Sequence, residues 1–174
     1  MDMGGEARVV ALRPETDATE GERQPVVVPR PLRVMPLAGL DRVGVVLVSH
    51  SRRVAEAVAQ LAAELVGTGD PGPLATAGGT DGGSLGTSAV LFAAAARQAD
   101  QGMGVAVLAD LGSAVTTVQS VLAAAEAHGL PFPVRLADAP FLEGAVAAVA
   151  TASAGGDLAA VIEAAEDGYL VRKL

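Results

Sequence analysis

The sequence predicts an α/β domain with a doubly wound, mainly parallel central sheet of four to five strands and helices on both faces. From Arg42 onward, short apolar runs alternate with longer alanine-rich stretches of helical period, which is the pattern of strand, helix, strand, helix. The first run, Val-Gly-Val-Val-Leu-Val, is apolar throughout, as expected of a strand in a parallel sheet that helices cover on both faces.

Each predicted strand is a short apolar run, and a stretch of helical period follows each of them. The predicted strands cover residues 43–48, 74–77, 105–109 and 134–137. The predicted helices cover residues 52–66, 88–101, 114–128, 143–153 and 158–167. The third helix is expected to end at His128, because a histidine interacts well with the last carbonyls and Gly129 supplies the stop. The tail at 168–171 either adds a short edge strand or packs on a neighbouring element.

The composition suits one domain with a thin, close-packed core. The 174 residues are 51% hydrophobic but only 2% aromatic, so alanine, valine and leucine must fill the interior. A net charge of −8 argues against a nucleic-acid or anionic-membrane surface and favours protein partners. Without cysteine, and with only two histidines, neither a disulfide framework nor a thiolate or histidine-rich metal site is expected. We expect no metal and no cofactor.

Residues 1–40 are predicted to be a disordered N-terminal leader, and residues 41–174 the folded domain. The leader holds five of the ten prolines and lacks a stable apolar period. It is either a tether or the product of a start codon placed too far upstream, with Met35 as the alternative start. The first residues lack the basic region of a signal peptide, and the alanine-rich stretches are too short to span a bilayer. A cytoplasmic protein is expected.

Ligands of an open parallel sheet bind at the carboxyl ends of the strands, where loops and helix starts converge. Four predicted loops meet at this edge and bring together His50, the strand-end aspartates Asp110 and Asp138, and several small hydrogen-bond donors. The loops are Ser49 to Ser51, Gly78 to Ser88, Asp110 to Ser113, and Asp138 to Glu143.

His50 is the candidate nucleophile, because it lies directly after a buried strand and before a helix. Attack requires a neutral imidazole of defined tautomer, so Nδ1–H should donate to an acceptor while Nε2 faces a partner. Asp110 ends the neighbouring strand and is the candidate acceptor, which would also stabilise charge that develops on the ring. Position alone equally fits a helix-entry histidine without catalytic work and a loop aspartate that binds local amides.

Small residues at the helix starts are candidates for binding a phosphoryl group or a partner. Free N–H groups and the helix dipole favour anions there. The candidates are Ser51, Thr87, Gly112 and Ser113. Plain capping explains the three hydroxyl residues equally well. The glycine-rich loop lacks the lysine of a Walker A motif, and no G-x-G-x-x-G follows the first strand, so conventional ATP or dinucleotide binding is not expected.

Four segments together resemble the M subunits of phosphotransferase-dependent dihydroxyacetone kinase, which are themselves similar to mannose-type IIA domains of the sugar phosphotransferase system. The segments are Val48 to Ser51, Gly86 to Thr87, Asp110 to Ala114, and Ala139 to Gly144, within a match over residues 43 to about 167. The resemblance implies a mannose-type IIA fold and a phosphotransferase role. It implies His50 as a phosphate carrier, phosphorylated on Nε2 as a tele-phosphohistidine, and Asp110 as its orienting partner.

The resemblance also implies a relay of phosphate between proteins. In the family, phosphoenolpyruvate phosphorylates enzyme I, which passes phosphate to HPr and then to the histidine that matches His50. The phosphohistidine rephosphorylates ADP on the L subunit, and the ATP phosphorylates dihydroxyacetone on the K subunit. A homodimer without its own cofactor is implied. Two alternatives stay open: a IIA component of a mannose-family sugar permease, which usually has glycine where Ser51 stands, and a non-catalytic regulatory docking module.

Overall fold

A computed structural model of the protein describes residues 41–67 and 70–174. Residues 1–40, the expected leader, lie outside the described residues, so their disorder stays a prediction. No helix in the two described ranges is long and apolar enough to cross a membrane.

The central sheet has four parallel strands in the described part of the chain. They are β1 (Gly44–Ser49), β2 (Leu74–Gly78), β3 (Val105–Ala109) and β4 (Val134–Leu136), in the order β2-β1-β3-β4. Every residue of β1 is buried, because this strand lies between two others and under helices on both faces. Val48 pairs with Ala77 on one side and with Ala109 on the other. The loops that follow these three strands therefore begin side by side.

Within residues 41–67 and 70–174, five helices cover the two faces of the sheet, which confirms the predicted doubly wound α/β fold. The helices are α1 (Arg52–Val66), α2 (Ala89–Ala99), α3 (Gly112–Ala123), α4 (Phe141–Ser153) and α5 (Leu158–Glu166). Along β1, Val45 and Leu47 pack in the cluster that includes α1, α4 and α5, while Val46 and Val48 pack in the cluster of α2 and α3. Because aromatic residues are scarce, alanine fills most helix positions that face the sheet.

The tail at residues 168–171 does not form the short edge strand that was one of its two predicted structures. Residues Asp167–Leu170 form a 3-10 turn that continues directly from α5 rather than an edge strand. Gly168 is buried, and a β-carbon on it would lie 2.8 Å from Cγ of Pro140, so the turn depends on close packing against the start of α4. The expectation of an edge strand was wrong.

Several helix boundaries also differ from the predictions by one to five residues, most clearly in α3 and α4. α3 ends at Ala123, and residues 124–129 form turns closed by hydrogen bonds such as Gly129 N–H to Glu126 O, 3.0 Å. The carbonyl of His128 accepts a hydrogen bond from Arg97 at 2.7 Å, which holds the turn against α2. α4 begins at Phe141, directly after Pro140, rather than at residue 143.

Candidate functional site

His50 lies at the middle of the carboxyl edge of the sheet, as the first residue after β1. Its N–H donates to Oδ2 of Asp110 at 3.0 Å, and its carbonyl accepts from the N–H of Gly86 at 2.9 Å. The loops after β3 and β2 thus hold the backbone of this residue from both sides. The side chain remains 23% exposed, so the ring is fixed at its base and reachable from solvent.

The Asp110 carboxylate binds the histidine ring. Its Oδ1 lies 2.9 Å from Nδ1 of His50, while its Oδ2 accepts from Ser49 Oγ at 2.7 Å and from the His50 N–H. Burial by itself raises the pKa of Asp110, but the hydrogen bonds from Ser49 and from the backbone and ring of His50 outweigh it and hold this pKa below its usual value. An ionised Asp110 is an acceptor only, so it favours the tautomer with hydrogen on Nδ1.

Ser49 is a residue of the site that the sequence argument did not single out. It is completely buried, and it is the only buried polar residue of the described ranges. Its hydroxyl donates to Asp110 and accepts from the N–H of Ser51 at 3.1 Å. A serine at the end of an otherwise apolar strand was the available signal.

Ser113 occupies the other side of the histidine ring. Its Oγ lies 2.6 Å from Nε2 of His50. With the ring hydrogen on Nδ1, the neutral Nε2 carries a lone pair, and the serine hydroxyl donates to it. Ser113 belongs to the first turn of α3, where N–H groups have no acceptor within the helix. The atom expected to react therefore faces a hydroxyl and the start of a helix.

The hydrogen bonds of the ring within the described residues go to Asp110 and Ser113, and not to the other candidate residues. Thr87 Oγ1 is 2.8 Å from Oγ1 of Thr117, which in turn donates to the carbonyl of Ser113, so Thr87 supports the first turn of α3. A β-carbon on Gly112 would meet nothing within 4 Å, which leaves open space at this turn. Ser51 lies at the N-cap of α1 and borders a groove described below.

Capping does not account for the three candidate hydroxyl residues. Ser51 occupies the N-cap position of α1, but its side chain makes no capping hydrogen bond. The cap of α2 is Ser88, which accepts from Leu91 N–H, rather than Thr87. The N-cap of α3 is Leu111, the residue directly before Gly112, rather than Ser113.

The second aspartate expected at this edge does not join the histidine. Oδ1 of Asp138 accepts from the hydroxyl of Tyr169 at 3.2 Å, and this bond raises the pKa of Tyr169. Both residues line a groove of about 710 Å³ that also reaches Asp110. In the described residues, no three histidine, cysteine, aspartate or glutamate side chains cluster as metal ligands would.

Large apolar side chains are exposed in the segments that follow three strands at the same edge. Leu85 is 79% exposed, Leu111 is 60% exposed and Leu142 is 41% exposed, and they follow β2, β3 and β4 respectively. Exposed apolar residues that share one edge are typical of a surface that binds another protein.

The fold and the site define a class of protein: a doubly wound α/β domain that presents one oriented histidine at the carboxyl edge of its sheet. The chain belongs to the EIIA-man family, whose model is described as the PTS system fructose IIA component and matches residues 44–162. The protein is similar to the PEP-dependent dihydroxyacetone kinase, phosphoryl donor subunit DhaM, of Escherichia coli, with 35% identity over 122 residues. It is also similar to phosphoryl donor subunit DhaM of the PEP-dependent dihydroxyacetone kinase 2 of Listeria innocua, with 31% identity over 106 residues.

The two relatives differ in how much of their length this chain spans. The matched region covers 69% of this chain and 25% of the Escherichia coli relative, but 61% of this chain and 82% of the Listeria innocua relative. A solved crystal structure, that of the unknown function protein EF1359, has a TM-score of 0.61 and 26% identity, covering 74% of this chain and 95% of its own. The predicted membership in the family of M subunits and mannose-type IIA domains is confirmed.

Proposed function

We propose that this domain is a phosphohistidine carrier that accepts a phosphoryl group on Nε2 of His50 and passes it to a second protein. The observation that carries the proposal is the placement of the ring between Asp110 at Nδ1, 2.9 Å away, and Ser113 at Nε2, 2.6 Å away. This arrangement favours the tautomer with the hydrogen on Nδ1 and the lone pair on Nε2.

The chemistry of acceptance follows from that placement. The Nε2 lone pair attacks the phosphorus of the donor phosphohistidine, the donor P–N bond breaks, and its electron pair returns to the donor imidazole. The His50 ring becomes positively charged, and the Asp110 carboxylate stabilises that charge through Nδ1–H. The Ser113 hydroxyl, displaced from Nε2, then donates to a phosphoryl oxygen beside the free N–H groups of Gly112 and Ser113.

The partners in this proposal are those that the family resemblance implies. The donor is HPr, phosphorylated from phosphoenolpyruvate through enzyme I, and the acceptor is ADP on the L subunit of dihydroxyacetone kinase, which serves the K subunit. Two relatives named as phosphoryl donor subunits, 31% and 35% identical, support this assignment. The exposed Leu85, Leu111 and Leu142 provide the docking surface. A homodimer is part of the same proposal.

A second candidate is the IIA component of a mannose-family sugar permease, which would pass phosphate to a IIB domain. The description of the matching family as a fructose IIA component favours it. Incubation of the phosphorylated protein with a IIB domain and, separately, with an ADP-loaded L subunit decides between the two acceptors. If the label moved rapidly to the IIB domain but not to ADP, the protein would be the IIA component of a permease and not a subunit of the kinase.

Labelling with phosphoenolpyruvate, enzyme I and HPr tests the carrier function itself. We expect an acid-labile, base-stable phosphoprotein in the native protein and none in His50→Ala. His128→Ala is the matched control, because His128 is the second of the two histidines and lies in the turn after α3. Equal labelling of His50→Ala would refute the proposal. A non-catalytic docking module would instead bind its partners equally well with or without His50.

A further inference from the structure

Two arginines directly follow the histidine loop. Arg52 and Arg53 are the first residues of α1, and both are exposed. The ion pairs of the described ranges are Arg42 with Asp70, His50 with Asp110 and Lys173 with Glu143, so neither arginine is paired there. Two exposed guanidinium groups therefore lie beside the site in a protein whose net charge is −8.

The position of these arginines is unfavourable for the helix that carries them. The N-terminus of a helix has partial positive charge, so cations there slightly destabilise it and acidic residues stabilise it. The first turn of α1 contains no acidic residue and begins with both arginines. Residues that destabilise their own helix in this way are expected at sites where they serve function rather than folding.

The two arginines line a groove next to the histidine loop. It has a volume of about 390 Å³ and is lined by Ser51, Arg52, Arg53 and residues 83–85. The same loop continues to Gly86, whose N–H donates to the carbonyl of His50 at 2.9 Å, so the groove lies next to the backbone of the histidine. The start of α1 is packed against the end of β2, because a β-carbon on Gly78 would lie 2.8 Å from the Arg52 nitrogen.

We propose that Arg52 and Arg53 are specificity residues that bind the phosphate groups of the nucleoside diphosphate carried by the acceptor. The inference rests on the proposed carrier function. Arginine binds phosphate oxygens through two charge-assisted hydrogen bonds, so a pair of arginines suits a diphosphate. The groove between α1 and residues 83–85 receives that diphosphate while its terminal phosphate reaches the phosphoryl group on His50.

The two transfer steps differ in the charge that must be brought together. When HPr donates, one phosphoryl group moves between two imidazoles. When the nucleotide accepts, an oxygen of its terminal phosphate attacks the phosphorus, the P–N bond breaks, and the electron pair returns to Nε2 of His50. Nδ1 keeps its hydrogen, and the diphosphate becomes a triphosphate. Two anionic groups approach each other only in the second step, so that step needs the arginines more.

Single-turnover transfer from the labelled protein tests this inference. The protein and its variants are phosphorylated with labelled phosphoenolpyruvate, enzyme I and HPr, freed of donors, and mixed either with the L subunit loaded with ADP and Mg²⁺ or with unphosphorylated HPr. We expect Arg52→Gln and Arg53→Gln to slow transfer to ADP about tenfold each, as for loss of a charge-assisted hydrogen bond, and transfer to HPr much less. Arg52→Lys and Arg53→Lys should recover part of the rate.

Arg97→Gln is the control, because this arginine lies at the far end of α2 and binds the carbonyl of His128. If the variants transferred phosphate to ADP and to HPr with equally reduced rates, the inference would be wrong, and the arginines would instead bind acidic surfaces of both partner proteins. Unchanged transfer rates in both arginine variants would also refute the inference. A native protein that never labels at His50 would refute the carrier function instead. Native protein that labels but does not transfer to ADP would refute the acceptor and this inference together.

Discussion

The buried hydroxyl of Ser49 donates a 2.7 Å hydrogen bond to Oδ2 of Asp110, which joins the last residue of β1 to the loop after β3. The same carboxylate binds the ring of His50 through its other oxygen. The orientation of the ring therefore depends on a residue that never reaches the surface.

Ser49→Ala removes a hydrogen bond from Asp110 and an acceptor from Ser51 N–H. We expect the free energy of unfolding to fall by about 1 to 2 kcal/mol, as for a buried hydrogen bond that loses one partner. We also expect the rate of phosphorylation of His50 to fall severalfold. Urea unfolding and labelling rates measure the two effects. Ser120→Ala, which removes an exposed hydroxyl of α3, is the control, and equal effects in both variants would contradict the positioning role of Ser49.

Asp110→Asn keeps the shape of the side chain and removes its charge. We expect the protein to fold and to accept phosphate at least about a hundredfold more slowly, because the carboxylate no longer stabilises the charged ring. Rapid-quench labelling with phosphorylated HPr measures the rate, and nitrogen NMR of the imidazole reports the tautomer. Asp138→Asn, at the same edge but without contact to His50, should label normally. A fully active Asp110→Asn protein would disprove the orienting role.

The free energy of unfolding should fall when Asp110 becomes protonated at low pH. Its pKa in the folded protein lies below the ordinary 3.8, so its contribution to stability is fully present above that value and is lost as pH falls through the folded pKa. The difference in unfolding free energy between the native protein and Asp110→Asn should be constant near neutral pH and shrink below about pH 4. Urea titrations from pH 7 to pH 3 check this, and a difference independent of pH would contradict it.

Ser113→Ala removes the hydroxyl that faces Nε2. The hydroxyl bonds neutral Nε2 in the free form, which contributes about 0.5 to 1.5 kcal/mol, and a charged phosphoryl oxygen in the phosphorylated form, which contributes about 1.5 to 3 kcal/mol. From this difference we expect the equilibrium between phosphorylated and free His50 to shift about five- to tenfold toward the free form. The labelled fraction at fixed ratios of phosphoenolpyruvate to pyruvate measures this equilibrium. Ser113→Thr keeps the hydroxyl and should stay close to the native value, so a loss as large as in the alanine variant would exclude the hydroxyl as the cause.

Two glycine substitutions at the same edge should have opposite effects. Gly78→Ala places a β-carbon against the Arg52 backbone and should lower the free energy of unfolding by about 1 to 3 kcal/mol. Gly112→Ala meets open space at the first position of α3 and should raise it by up to about 1 kcal/mol. Thermal or urea unfolding of both variants gives the comparison, and a stable Gly78→Ala protein would show that α1 can shift away from β2.

Most of the fold was predictable because strand pairing depends on patterns that the sequence displays. The apolar run at β1 and the alternation of strands and helices indicated a parallel sheet covered on both faces. A parallel sheet places the carboxyl ends of its strands together, so His50 and Asp110 could be expected at one edge before any distance was known.

The finer features of the site depend on side-chain directions that a sequence does not display. Ser49 and Ser51 look alike in sequence, yet one is buried under the carboxylate and the other lies beside a groove. Ser88 rather than Thr87 caps α2, because this helix begins at Ala89, one residue later than the loop pattern suggested. The tail forms a 3-10 turn in which Gly168 packs on Pro140, a contact between distant parts of the chain that the local pattern does not show.

The hydrogen bonds that fix the His50 backbone have a consequence for kinetics. A histidine held by Gly86 on one side and Asp110 on the other cannot carry a phosphoryl group across the surface on a moving arm. Under the proposed function, donor and acceptor must therefore occupy the same edge of the sheet in turn. Their binding is mutually exclusive, so turnover should follow ping-pong kinetics, with each partner inhibiting the other at high concentration.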